Sequence, residues 1–229
     1  MHVVYGLVGY KIHAKVALVV RRDADQIRRY VHLATGNYNP TTARLYTDIG
    51  LFTCRPEFGE DATNLFNLLT GICQFQADAA LLVAPFDLHE RLLAADRTRD
   101  RTRASGLAGA HHRQGEFARW TAKSSRRFTA RRKAGVKIDL IVRGICCLRP
   151  GVKGVSDNIT VRSIVDRFLE HSRIYYFENA CQPEVFLGSA DWMPRNFSAA
   201  SRPSFRLWTA TFAEAGDFRI ARAARWRTT

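Results

Sequence analysis

The sequence predicts an α/β fold with two halves. Apolar runs of strand length recur along the chain, helical patterns separate several of them, and Gly, Pro and Asn concentrate between them. With 229 residues, of which 46% are hydrophobic, the chain is long enough for two cores of roughly 100 residues each. We place the boundary between the halves near residue 80.

The first half opens with strands. Residues 14–20, AKVALVV, are almost entirely apolar and predict a buried strand, and we expect a short helix after it, capped by Asp23. A second strand is predicted over residues 30–35. Residues 36–43, GNYNPTTA, are rich in turn-forming residues and are predicted to form a loop. Apolar residues at helical spacing then predict an amphipathic helix over residues 60–70.

The second half mixes strands and helices. Four apolar runs predict strands over residues 81–85, 136–144, 174–180 and 185–190. Two helical patterns predict helices over residues 88–95 and 163–171, the second of them capped by Ser163.

The positive charge of the chain is local. The net charge is +14, and almost all of the excess lies in residues 96–133 and 198–229. Such a charge usually indicates a polyanionic partner such as nucleic acid, a membrane surface or polyphosphate. The sequence contains no apolar run of 18 residues and no secretory signal pattern, so we expect a cytoplasmic protein. The five cysteines form no CxxC pair, and we predict no metal site on this chain.

A short pattern occurs once in each half. His13 is followed two positions later by Lys15 and then by a predicted strand, and His171 is followed in the same way by Arg173. Residues two apart share one side of an extended chain, so each half offers a histidine and a cation at the entrance to a strand. The pattern is compatible with one shared site. Taken alone, it is more typical of hydrogen-bonded structural histidines.

Several long strings resemble a known family. They are GYKIHAKVALVVRR, HLATGNYNPTTARLYTDIGLFTC and GEDATNLFNLLTG in the first half, and GVKIDLIVRGICCLRPG, RSIVDRFLEHSRIYYFEN and FLGSADWMPRN in the second. They closely resemble the C-terminal half of the ATP-using polyphosphate kinases, whose two catalytic domains are similar to the halves of phospholipase D. The resemblance implies two phospholipase D-like domains, each a mixed sheet flanked by helices. The first would span residues 1–80, truncated at its N-terminus, and the second residues 81–197.

The resemblance also implies the site residues. His13 matches the family's phosphorylated nucleophile, and His171 matches its second essential histidine, which can also bind phosphate. Tyr46 and Arg143 match family contacts to ATP. The function implied is transfer of the terminal phosphate of ATP to polyphosphate, and the reverse, through a phosphohistidine.

Cofactors and partners follow from the same resemblance. The family uses Mg²⁺, whose ligands would lie upstream of this chain, and its substrates are ATP, ADP and inorganic polyphosphate. Family members form homo-oligomers, with at most peripheral membrane association and no nucleic-acid partner. Because upstream domains are missing, we expect an incomplete nucleotide pocket, and the resemblance does not imply that this piece is active alone.

Two other functions are compatible with parts of the sequence. A phospholipase D-like phosphodiesterase would use the same histidine pair, but its pattern places an aspartate shortly after Lys15, where this chain has apolar residues and then Arg21. A basic nucleic-acid-binding module would depend on the arginines of residues 96–133. Neither alternative explains the long matching strings.

Residues 96–133 and 198–229 depart from the family pattern. Reading back-translated codons one base out of phase recovers family-like sequence in both stretches. We therefore interpret both as products of a shifted reading frame, with arginines that reflect GC-rich codons rather than a phosphate-binding surface. We expect these stretches to be poorly packed.

Overall fold

The computed structural model has a mixed α/β fold, which confirms the predicted class. It describes residues 1–6, 11–71, 80–84, 86–88, 110–114, 137–144, 146, 148–177, 184–189 and 204–212. Within these residues, no helix is long and apolar enough to cross a membrane.

A three-stranded antiparallel sheet forms the core of the first half. Its strands are β2 (Val16–Arg22), β3 (Ile27–Ala34) and β5 (Gly50–Thr53), with β3 in the middle. The strands predicted over residues 14–20 and 30–35 are thus confirmed, with small shifts of their ends. The side chains of Val31 and Leu33 alternate with outward-facing neighbours and are buried.

The helix α2 (Pro56–Leu69) covers the apolar face of this sheet. The predicted helix over residues 60–70 is confirmed, but it begins four residues earlier, because Pro56 is compatible with the first turn of a helix. The side of α2 that packs in this core buries the side chains of Phe58, Ala62 and Leu65. The carboxylate of Asp61 accepts hydrogen bonds from the backbone N–H groups of Ala80 and Leu81, so it ties α2 to the start of the next strand.

Two predictions for the first half are wrong. No helix follows Asp23. Its N–H instead donates to the carbonyl of Gln26 at 2.9 Å, and its carboxylate binds Arg21, which closes the hairpin between β2 and β3. The predicted loop over residues 36–43 ends in a one-turn helix, α1 (Pro40–Ala43), because Asn39 caps two of its free N–H groups.

The second sheet contains eight strands among the described residues. Their order is β1-β13-β12-β11-β7-β8-β9, with β6 paired to β13. The strands are β1 (Lys11–Ile12), β6 (Leu81–Ala84), β7 (Ala110–Gln114), β8 (Lys137–Val142), β9 (Ile159–Ser163), β11 (Arg173–Phe177), β12 (Glu184–Gly188) and β13 (Ser204–Phe212). Strands were predicted at β6, β8, β11 and β12, and these predictions are confirmed. Residues 178–180 and 190, at the ends of two of them, lie outside the described residues.

The predicted helix over residues 163–171 is wrong. Ser163 ends β9, and residues 169 and 170 form a short strand, β10 (Leu169–Glu170), which pairs in parallel with β4 (Tyr46–Thr47). The N–H of Leu169 donates to the carbonyl of Leu45, and that of His171 donates to the carbonyl of Thr47. Hydrogen bonds to a distant segment therefore override the weak helical pattern.

Two strands lie in the stretches interpreted as out of frame. The strand β7 is hydrogen-bonded to β8 on one edge and to β11 on the other, and β13 pairs with β12, β6 and β1. These two segments are therefore paired through their backbones, which needs only main-chain groups, and the expectation of poor packing stays a prediction. Their reading frame stays a prediction. Of the helix predicted over residues 88–95, only Leu88 lies within the described residues.

Candidate active site

His171 is held by a carboxylate from the other half of the sequence. Its Nδ1 lies 2.7 Å from Oδ1 of Asp48, and only 11% of its side chain is exposed. Asp48 directly follows β4 and His171 directly follows β10, so the pairing of these two strands brings the two residues together. An ionised carboxylate only accepts hydrogen bonds, so Nδ1 carries the proton and Nε2 is the nitrogen left for chemistry.

Tyr46 packs beside the same imidazole. The centroids of the two rings are 5.1 Å apart and the ring planes are tilted by 40°. In the parallel pairing of β4 and β10, Tyr46 lies opposite Leu169, and Leu169 precedes His171 by two residues. The structure therefore brings two of the predicted site residues into contact.

Two arginines surround His171. Arg173, at the start of β11, donates from Nη1 to the carbonyl of His171 at 2.5 Å and is itself buried. Arg143 follows the end of β8 and lies close enough for its charge to act on the imidazole. This location is a natural place for the oxygens of a phosphate, because guanidinium groups bind such oxygens in pairs.

These surroundings lower the pKa of His171. Burial is the largest cause, and the positive charges of Arg173 and Arg143 act in the same direction. The hydrogen bond and the charge of Asp48 oppose them. The net direction keeps the ring neutral near pH 7, which is the form that can accept a proton or a phosphoryl group.

His13 lies beside a buried lysine. The ammonium nitrogen of Lys15 is 2.9 Å from Nδ1 and 3.0 Å from Nε2 of His13, and Lys15 is only 6% exposed. An ammonium can only donate, so it bonds to whichever of the two ring nitrogens carries no proton. The carbonyl of Lys15 accepts from the N–H of Ala34, which fixes this segment to the end of β3. The contact favours a neutral imidazole at His13.

The segments that carry the two histidines meet at β12. The hydroxyl of Ser189 donates to the carbonyl of His13 at 3.2 Å, and the preceding residue, Gly188, is paired with Arg173. A small cleft near this contact is lined by residues of both halves, including Lys15, Thr35 and Gly188. The backbone of His13 is thus tied to the end of β12, the strand that pairs with β11 directly after the segment of His171.

Sequence reasoning missed Asp48 and Ser189. Asp48 lies two positions after Tyr46, so an extended chain places both side chains on one side, and this spacing was the available signal. Ser189 could not be found in this way, because its contact with His13 spans 176 positions. Asp191, Trp192 and Arg195, in the matching string FLGSADWMPRN, lie outside the described residues.

The described residues do not form a metal site. No group of three or more His, Cys, Asp or Glu side chains among them is arranged to hold a metal ion. The donors of the site are imidazoles, guanidinium groups and one carboxylate already bound to His171. These donors do not fit a resident Mg²⁺.

Replacing Asp48 by asparagine is expected to lower the pKa of His171 further. The change removes the negative charge that now opposes burial and the two arginines. A ¹H–¹⁵N titration of the imidazoles measures this shift, and Asp23→Asn, in the distant hairpin, is the matched control. Since the folded state already binds this proton less readily than the unfolded chain, stability falls as the pH drops below the usual histidine pKa. An unchanged or higher pKa in Asp48→Asn would contradict the electrostatic role of Asp48.

Comparisons with known proteins identify the family of the chain. Residues 1–75 match the family model "Polyphosphate kinase C-terminal domain 1", and residues 81–202 match "Polyphosphate kinase C-terminal domain 2". A polyphosphate kinase of Synechocystis sp. is 53% identical over 207 residues, covering 86% of this chain and 27% of the relative. One from Halalkalibacterium halodurans is 50% identical over 198 residues, covering 86% and 28%.

A solved structure is similar over almost the whole chain. The crystal structure of polyphosphate kinase from Porphyromonas gingivalis superposes with a TM-score of 0.82 at 32% sequence identity. The match covers 96% of this chain and 35% of that protein. The chain spans only about a quarter of the length of the Synechocystis and Halalkalibacterium relatives, 27% and 28%. Both family models and these relatives match, so the chain belongs to the polyphosphate kinase family.

Proposed function

We propose that this chain carries the phosphoryl-transfer site of an ATP:polyphosphate phosphotransferase, with a phosphohistidine intermediate at His13. The observation that carries the proposal is the arrangement around His171. A buried imidazole is fixed by Asp48, contacted by Tyr46 and influenced by the charge of Arg143. The carbonyl of His13 is bonded to Ser189, which directly follows β12. Two phospholipase D-like domains, one for each half, belong to the same proposal.

In the first step His13 attacks the γ-phosphorus of ATP. A lone pair of its neutral imidazole forms the N–P bond, and the bond between phosphorus and the bridging oxygen of ADP breaks, so that ADP leaves with the electron pair. The ammonium of Lys15 supports this step in two ways. Before attack it disfavours a second positive charge on the ring. For attack it leaves the unprotonated ring nitrogen, whose lone pair then reaches phosphorus, and its positive charge passes to the phosphate oxygens.

In the second step the end of a polyphosphate chain attacks the phosphohistidine. A terminal oxygen of the chain forms the new P–O bond, and the N–P bond breaks to restore His13. Arg143 stabilises the negative charge on the transferring oxygens, and Tyr46 offers a hydroxyl donor. His171 faces the same phosphoryl group and moves a proton or binds an oxygen through Nε2.

The substrates, the assembly and the location of the protein belong to the same proposal. The substrates are ATP or ADP and inorganic polyphosphate, and magnesium enters as the ion bound to the phosphates of ATP. Assembly as a homo-oligomer and a cytoplasmic location are proposed from the family resemblance. This chain matches about a quarter of the length of its longer relatives. The full polymerising activity is proposed for proteins of that length.

Labelling with two forms of ATP tests the proposal. The chain is incubated with saturating MgATP that carries the label at either the γ or the α phosphorus. We expect label from the γ position alone, lost in acid and retained in alkali, because a phosphoramidate bond behaves in this way. Transfer of the α label, or release of a headgroup from a phospholipid, would instead support a phosphodiesterase. The absence of label from both γ-labelled ATP and labelled polyphosphate would contradict the proposal.

A further inference from the structure

We propose that Thr35 is a positioning residue for His171, acting through the carboxylate of Asp48. The hydroxyl of Thr35 holds Asp48, and the missing side chain of Gly36 leaves room for it, where it fixes the imidazole as the Nδ1–H tautomer. The catalytic meaning of this arrangement rests on the proposed function, whereas the tautomer itself does not.

The contacts of Thr35 point towards Asp48. Thr35 is 2% exposed and stands at the end of β3, where its N–H already donates to the carbonyl of Ile49. Its Oγ1 accepts from the N–H of Ile49 at 2.9 Å. The single hydroxyl proton is then directed at Oδ1 of Asp48, 3.2 Å away, which is nearer and more negative than the carbonyl of Ile49 at 3.4 Å.

The same oxygen of Asp48 also binds His171. Oδ1 therefore accepts from two donors, the hydroxyl of Thr35 and the Nδ1–H of His171. This second donor fixes the direction of the carboxylate, which has two rotatable bonds of its own and would otherwise be free to turn. The buried hydroxyl thus orients the group that orients the imidazole.

Gly36 leaves room for the same carboxylate. A Cβ added at Gly36 would collide with Oδ2 and Cγ of Asp48. The carboxylate consequently occupies the space that any other residue would fill. Two neighbouring residues, one by a hydrogen bond and one by the absence of a side chain, act on one group.

The tautomer is a sensitive measure of this positioning. A free neutral histidine favours the proton on Nε2, and the contact with Asp48 reverses this preference. Other charged or polar groups that act on the ring are Arg173 and Arg143, which are cations and cannot accept its proton, and Tyr46. If Asp48 turns away, the ring loses the acceptor that selects Nδ1–H.

Nitrogen NMR of the chain labelled at histidine tests the proposal. The signals of His171 are identified by their loss in His171→Gln, and the two tautomers differ strongly in their ¹⁵N shifts. In Thr35→Val, which keeps the shape and removes the hydroxyl, we expect the ratio of Nδ1–H to Nε2–H to fall roughly tenfold. Thr35→Ser keeps the hydroxyl and should restore the ratio.

The matched control is Thr63→Val. The hydroxyl of Thr63 donates to the carbonyl of Gly59 within its own helix, so its removal should leave the tautomer of His171 unchanged. If Thr35→Val does not fold, Gly36→Ala tests the same idea, with the same expected fall. An unchanged ratio in the folded variant, or a serine variant that behaves like valine, would overturn the proposal. Failure of phosphoryl labelling would affect the proposed function and leave this result intact.

Discussion

Replacing His13 by alanine is expected to remove the acid-labile phosphoryl label from the chain completely. The reason is chemical: the N–P bond forms on this imidazole, and alanine offers no lone pair to phosphorus. The neighbouring side chain of Lys15 cannot replace the imidazole as a nucleophile while its amine is a charged ammonium. The measurement is the amount of alkali-stable, acid-labile label per chain after incubation with γ-labelled ATP.

His32→Ala is the control for this loss. His32 lies on β3 and contacts Tyr38 and Phe52, so the variant removes an imidazole that has no place in the proposed transfer. It should be labelled like the wild type, and circular dichroism should show that both variants fold. Label that persists in His13→Ala would assign the intermediate to another residue.

Replacing His171 by alanine is expected to slow discharge of the phosphorylated chain about a hundredfold to ten-thousandfold. The variant removes the group that exchanges a proton with the reacting oxygens or binds them, while His13 remains available. It also leaves the buried carboxylate of Asp48 without its imidazole partner. The rate is measured by adding ADP to chain that already carries the label and following the label that returns as ATP.

His171→Gln separates the two roles of the residue. Glutamine can still donate to Asp48 but cannot take up a proton, so a structural role would preserve the rate and a chemical role would not. Added imidazole should restore part of the rate in His171→Ala by entering the space left by the ring. A discharge rate within about twofold of the wild type in His171→Ala would contradict the role proposed here.

Strands with a strong local pattern were predictable from the sequence. The apolar runs of β2, β3, β6, β8, β11 and β12 and the helical pattern of α2 are properties of neighbouring residues, and each was found close to its observed place. The helix predicted over residues 163–171 was not, because β10 exists only through its pairing with β4, more than 120 positions away. A turn with one aspartate was likewise misread, since Asp23 can serve a hairpin as well as a helix.

The site was predictable in part for the same reason. His13, Tyr46, Arg143 and His171 were indicated by the resemblance, and the structure places the last three together. Asp48 and Thr35 act through contacts made between separate strands and loops, which a single sequence does not display. The histidine and cation that recur in each half are compatible with one shared site, but the contacts that link the two segments, through Ser189 and β12, are not visible in the sequence.

The central claim is that the imidazoles of His13 and His171 act on one phosphoryl group. A crystal structure of the chain with bound orthovanadate tests it most directly, because five-coordinate vanadate mimics phosphorus during transfer. We predict a vanadium atom bonded to a ring nitrogen of His13, with one of its oxygens roughly 3 Å from a ring nitrogen of His171. Vanadate bound at His13 while the ring of His171 faces a separate cleft would contradict the claim.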